Sequence, residues 1–265
     1  MKDILITFGD SWTFGQGSAY EDGMTEEEYE RIYLDSEICW KYGWRRHVAE
    51  HFDFDNINLG CGGSSNDKQF RLAKQFFSST KFKNILKSGV QVYVLWGTTS
   101  VNRYDFWVNE ENAYRHIFLN TVNDDPIIPD ENEGTAIDQI AGVLNKYSYN
   151  EIARVKQLEL EFFHWNQYFK MLGVKNFWYD SFCSFNYNVK LSNFFDHQKR
   201  IRRDMLAVIV ENDRVLKKSL VPGWCVDDFA YAVDHNMLNP YSFHPKADGY
   251  KQIADHLIKK MQEHM

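Results

Sequence analysis

Apolar positions along the chain fall into two rhythms, short unbroken runs and helical stripes. Residues 4–8, ILITF, form a β-rich run that stops at Gly9-Asp10-Ser11, which predicts a buried strand. Over residues 40–52, Trp44, Val48 and Phe52 stand four apart and predict one helix. Asn56-Ile57-Asn58-Leu59 predicts a second strand, running into Gly60-Cys61-Gly62-Gly63-Ser64-Ser65-Asn66. A helix is expected next, because Phe70, Ala73, Phe76 and Phe77 keep helical spacing. Residues 90–96, VQVYVLW, are nearly continuous in apolar side chains and end at Gly97, as a central parallel strand covered on both faces should be. Residues 149–172 predict a long helix stopped by Gly173, and residues 174–182 a fourth strand. A further helix is expected over 194–220, before Pro222-Gly223, then a loop over 221–243. The last helix, 245–265, has Tyr250, Ile253, Ala254, Leu257, Ile258 and Met261 as its buried stripe.

Two stretches break the rhythm. Residues 18–38 are acidic and polar, with a helix-start pattern at Thr25-Glu26-Glu27-Glu28. Residues 109–148 are irregular, with Asp124-Asp125-Pro126 and Pro129-Asp130-Glu131. Both are taken as insertions in a single domain spanning 1–265, since no repeat or linker divides the chain. Strands alternating with helices predict an α/β fold with a parallel sheet between helix layers, where function gathers at the strand C-terminal ends.

Composition narrows the function classes. With 44% hydrophobic and 16% aromatic residues, a folded core is expected and disorder is not. A net charge of -7 argues against nucleic acid or an anionic membrane as partner of the whole molecule. The basic run Lys199-Arg200-Ile201-Arg202-Arg203 is taken as a solvated helix face. Cys39, Cys61, Cys183 and Cys225 show no zinc-like or CxxC spacing, so free thiols in a reducing compartment are expected. No signal peptide or membrane span is apparent, and a cytoplasmic protein is expected where it is made. His47 and His51 stand four apart but lack the Glu of a metalloprotease motif. The Gly60–Ser65 loop lacks the lysine of a phosphate-binding loop. No cofactor or metal is implied.

The strand-end loops Gly9-Asp10-Ser11, Asn58-Leu59-Gly60 and Gly97-Thr98-Thr99 should meet on one sheet edge. His244-Pro245 precedes the last helix, with Pro245 where helices accept it first. A serine hydroxyl needs an adjacent base to become a nucleophile, and His244 folded back on the sheet can supply it to Ser11. A tetrahedral intermediate also needs donors for its oxyanion, and the backbone N–H groups of Ser11 and Gly60 are candidates.

These blocks resemble the SGNH, or GDSL-type, hydrolases. Gly9-Asp10-Ser11 with Gly15 matches the first block, Asn58-Leu59-Gly60 with Gly63 the second, Gly97 opens the third, and His244-Pro245 with Gly249 matches the fifth. The resemblance implies a three-layer α/β/α, flavodoxin-like fold and hydrolysis of O-acyl esters, with carbohydrate O-acetyl groups as the first guess. It implies Ser11 as nucleophile, His244 as base and Asp10 as structural. Exposed aromatics that could stack on a sugar, Trp12, Trp107 and Tyr241, accord with a glycan or small-molecule ester.

Two positions depart from the pattern. The third-block Asn donor is replaced by Thr99, with Asn102 and Arg103 as substitutes, and Gly97-Thr98-Thr99-Ser100-Val101-Asn102-Arg103 resembles a divergent phage-type subgroup. The acid three residues before the histidine is replaced by Tyr241. That leaves a Ser–His dyad, a backbone carbonyl in the acid's place, or a relocated acid: Asp234 first, then Asp227 and Asp228. The alternatives to hydrolysis are a catalytically weak binding or virion-associated module and an acyltransferase using the same residues. Oligomeric state is not legible.

Overall fold

The computed structural model describes residues 2–108, 113–118, 143–144, 150–181, 200–201 and 238–265. Five parallel strands make the main sheet: β1 (Ile4–Phe8), β2 (Asp55–Asn58), β3 (Val92–Thr98), β6 (Lys175–Asp180) and β7 (Arg200–Ile201). Their spatial order is β2-β1-β3-β6-β7. With the separate hairpin of β4 (Arg103–Val108) and β5 (Ala113–Phe118) set aside, this is the doubly wound 2-1-3-4-5 order of flavodoxin-like sheets. The order reverses between β1 and β3, so the expected ligand crevice lies where Ser11 leaves β1.

Side-chain alternation divides the core. Leu5, Tyr93, Leu95, Phe177 and Tyr179 face one side, with Trp44 and Val48 of α4 (Trp44–Phe52) and Tyr250, Ile253, Leu257 and Met261 of α8 (Ala247–Gln262). Ile6, Phe8, Val94, Trp96 and Trp178 face the other. There they meet α5 (Asn66–Ser78), α6 (Thr80–Lys87) and α7 (Glu151–Leu172) through Phe70, Phe77, Phe82, Phe162, Trp165 and Phe169. Phe162 and Trp178 pack edge to face at 4.1 Å between centroids. Each fully buried large side chain contributes about 1.5–3 kcal/mol, so both faces are strongly closed. The architecture is α/β with helices on both sides of a parallel sheet.

Several expectations are refined. The helix read over 40–52 is two, α3 (Ser36–Tyr42) and α4, because the chain turns extended at Gly43 (ψ 158°). A Cβ there would sit 2.4 Å from the Cys39 carbonyl oxygen. β3 continues through Gly97 to Thr98. Part of the stretch read as irregular pairs as β5 with β4. Arg200 and Ile201 pair with β6, so the basic run is not a helix face there; the rest of the 194–220 expectation lies outside the described residues. Other readings hold. Thr25 and Glu28 form a reciprocal cap on α2 (Glu26–Glu30), and Gly173 ends α7 in the left-handed conformation. Cys39 and Cys61 are free thiols; Cys183 and Cys225 lie outside the described residues. No helix among the described residues is long and apolar enough to cross a membrane.

Candidate active site

At the exit of β1 the chain turns at once into α1 (Ser11–Phe14), a single helical turn. Asp10 caps it, its Oδ1 accepting from Trp12 N–H at 3.0 Å, and Gly15 closes it in the left-handed region (φ 94°). Ser11 is therefore the first residue of a helix, where backbone N–H groups lack intrahelical acceptors. Thr13 shows why the strand ends carry glycine. Its hydroxyl is hydrogen-bonded to that of Tyr179 at 2.6 Å. A Cβ on Gly9 would lie 1.8 Å from Thr13 Oγ1, one on Gly97 2.6 Å from the same atom, and one on Gly60 2.9 Å from Thr13 Cγ2. Glycines at the C-terminal ends of three neighbouring strands clear room for one threonine, which seats α1 on the sheet edge.

His244 approaches the same edge from the other end of the chain. Its loop closes through a bridge between Leu238 and Pro245 and through Asn239 N–H donating to the His244 carbonyl at 2.9 Å. Inside the loop, Asn239 Oδ1 accepts from the N–H groups of Tyr241 (3.1 Å) and Ser242 (2.8 Å). Phe243 is held at φ 55°, a strained setting for an aromatic residue. The His244 ring centroid stands 6.5 Å from that of Trp12, the residue after Ser11. Its Nδ1 is hydrogen-bonded to Ser242 Oγ at 2.9 Å, which leaves Nε2 as the nitrogen available to a Ser11 proton. Desolvation lowers the His244 pKa well below its ordinary value, and the Arg103 charge lowers it further, against a hydrogen bond to the Ser242 backbone. Both effects favour the neutral imidazole, the form a general base requires.

A buried polar layer lies beneath. Asp10 is fully buried, and desolvation raises its pKa against the opposing charge of Arg103. Arg103 anchors through Nη1 to the Ser64 carbonyl at 3.2 Å. The buried Asn66 side chain clasps the Thr99 backbone, accepting from its N–H (3.0 Å) and donating to its carbonyl (2.8 Å). The Thr99 hydroxyl is on the Asp10 side, although neither Thr99 Oγ1 nor Asp10 Oδ2 completes a hydrogen bond. The Gly60 N–H donates to Asn58 Oδ1 at 3.0 Å. To hold an oxyanion, the Gly60 N–H would have to leave Asn58 and the Thr99 hydroxyl would have to turn from the Asp10 side.

The structure thus brings Ser11, Gly60, Thr99 and His244 to one edge, with Asp10 as a helix cap. Asp234, Asp227 and Asp228 lie outside the described residues. Trp107 and Tyr241 are exposed, but Trp12 is only 3% exposed, because it is packed beneath His244 with Trp44 Nε1 donating to its carbonyl; it offers no sugar platform. Sequence reasoning missed Ser242, Asn239 and Tyr29. The local signal for Asn239 and Ser242 was their closeness in sequence to His244; Tyr29 carried none, because it meets them from more than two hundred residues away. Among the described residues, no group of His, Cys, Asp or Glu is arranged to hold a metal ion.

No family model and no curated protein matches this chain. Among the solved structures similar to it are the following two. One is a carbohydrate esterase whose active site displays divergent catalytic and non-catalytic binding functions, with 12% identity and a TM-score of 0.45, covering 98% of this chain and 68% of that one. The other is the psychrotrophic esterase EstA from Pseudoalteromonas sp., inhibited by monoethylphosphonate, with 13% identity and a TM-score of 0.40, covering 98% of this chain and 97% of that one.

Proposed function

We propose that the chain is a serine ester hydrolase of the SGNH type, acting on O-acyl esters of a small molecule or glycan. The observation that carries this reading is the placement of His244, engaged by Ser242 through Nδ1 and packed over the residue that follows Ser11. In the first step Nε2 takes the Ser11 proton as Oγ bonds to the acyl carbon, and the carbonyl electron pair moves to oxygen. The Ser11 N–H at the start of α1 meets that oxyanion. Arg103, buried close enough to act on both Asp10 and His244, adds a fixed positive charge. Collapse breaks the C–O bond to the alcohol, which leaves with the proton from Nε2. Water then repeats the sequence: Nε2 takes its proton, its oxygen bonds the acyl carbon, and Ser11 departs reprotonated with release of the acid.

One observation favours a second reading, a binding module with little catalysis. Gly60 N–H is committed to Asn58 and the Thr99 hydroxyl lies on the Asp10 side. Removing one oxyanion donor costs roughly 3–4 kcal/mol. The discriminating experiment is intact mass after incubation with a fluorophosphonate, with the adduct mapped and Ser11→Ala as control. The hydrolase reading expects a single adduct on Ser11 that the variant loses. No adduct under conditions that label a working serine esterase would leave the binding reading.

A further inference from the structure

The hydroxyl of Ser242 is the atom bonded to His244 Nδ1, and its surroundings determine which of the two carries the shared proton. The Asn239 amide is oriented by two backbone N–H donors on its Oδ1. Its Nδ2 therefore donates to Ser242 Oγ at 2.9 Å and faces Tyr29 Oη at 3.3 Å. Tyr29 Oη and Ser242 Oγ are hydrogen-bonded at 2.5 Å, and Asn239 and Tyr29 are both buried. A serine hydroxyl has one proton and two lone pairs. One lone pair accepts from Asn239. The proton has two acceptors away from the histidine, Tyr29 Oη and Asn239 Oδ1 at 3.2 Å. With the proton so placed, the second lone pair is left to receive Nδ1–H of His244.

We propose that Ser242, held by Asn239 and Tyr29, is the positioning residue that fixes His244 in the Nδ1–H tautomer, where a carboxylate would otherwise stand. The inference rests on the hydrolase reading for its catalytic meaning, since a bare Nε2 matters only if Ser11 is to be deprotonated. A hydroxyl orients the ring as a carboxylate does, but it brings no negative charge to an imidazolium. The reversed chain, Tyr29 to Ser242 to Nδ1, would put the proton on Nε2 and leave no base for Ser11.

Two readouts test it: long-range ¹⁵N NMR of the His244 ring nitrogens, and the rate of fluorophosphonate labelling at Ser11, in wild type, Ser242→Ala, Ser242→Thr and Tyr29→Phe. Fold is monitored by amide spectra. The wild type should show Nδ1–H. Ser242→Ala should mix the tautomers and slow labelling roughly 10- to 100-fold, as loss of a hydrogen bond to a group that becomes charged implies. Ser242→Thr should restore both readouts, because it restores the hydroxyl, and Tyr29→Phe should lie between. An Nε2–H wild type overturns the proposal. So does a Ser242→Ala protein that keeps Nδ1–H and the wild-type labelling rate. If the wild type does not label, yet Ser242→Ala still shifts the tautomer, the hydrolase reading falls while the positioning role stands.

Discussion

At the scale of single residues, the site depends on missing side chains as much as on present ones. Gly17 is the sharpest case. It sits at φ 87°, and a Cβ there would lie 2.5 Å from His244 Cβ and 2.7 Å from Asn239 Nδ2. Neither neighbour is a free-swinging tip: one is the root of the imidazole, and the other is the amide that orients Ser242. Gly17→Ala should therefore cost about 1–3 kcal/mol of stability and slow Ser11 labelling more than tenfold, both measured on one preparation by urea unfolding and labelling kinetics. Equal labelling in the variant would mean that His244 tolerates displacement and is not a tuned base. The partners of Gly17 were not legible in the sequence, because they arrive from more than two hundred residues away. The same holds for Ser242, whose role appears only once Tyr29 and Asn239 are folded around it.

At the scale of elements, periodicity revealed what local patterning can reveal. β1, β3, α7 and α8 stand close to where their apolar runs and stripes put them, because each buries a continuous face. The break at Gly43 and the β4–β5 hairpin were not legible. The first is decided by backbone contact with Cys39, the second by pairing and by attachment to α5. That attachment is specific. Asp105, nearly buried, is paired with Arg71 at 2.7 Å and accepts from Ser65 Oγ at 2.5 Å. The Arg71 guanidinium also stacks over the Tyr114 ring at 3.6 Å. Arg71→Met keeps the stem but leaves a buried carboxylate short of its cation. A loss of about 2–4 kcal/mol is expected, with faster amide exchange concentrated in β4 and β5 and little change in α8. Uniformly faster exchange would show that the hairpin does not open as its own unit. Because β4 begins at Arg103, loosening it should also disturb the charge beneath Ser11.

For the whole molecule, two groups of opposite pH behaviour lie against one sheet edge, and stability should report both. The His244 pKa is lowered on folding. The unfolded chain therefore binds more protons than the native state once the pH drops below about 6.5, and the His244 contribution, complete above that pH, is lost as the pH falls toward the folded value. The Asp10 pKa is raised on folding. There the native state binds the extra proton, so stability is lost as pH rises from about 3.9 toward the folded value. Each group can tilt the curve by at most about 1.4 kcal/mol per pH unit. On acidification below about pH 6.5 the His244 slope lowers stability, and the Asp10 slope opposes it between about pH 3.9 and the raised folded value. Asp10→Asn, which keeps a side chain able to cap α1, removes the opposing slope, so its loss of stability on acidification should be steeper than the wild type's. His244→Gln removes the other, and its curve should fall less than the wild type's over the same range. The check is the urea midpoint and slope at half-unit pH steps for the three proteins. Parallel curves would mean that neither group changes its proton affinity on folding, and the neutral His244 assigned to the resting site would lose its physical basis.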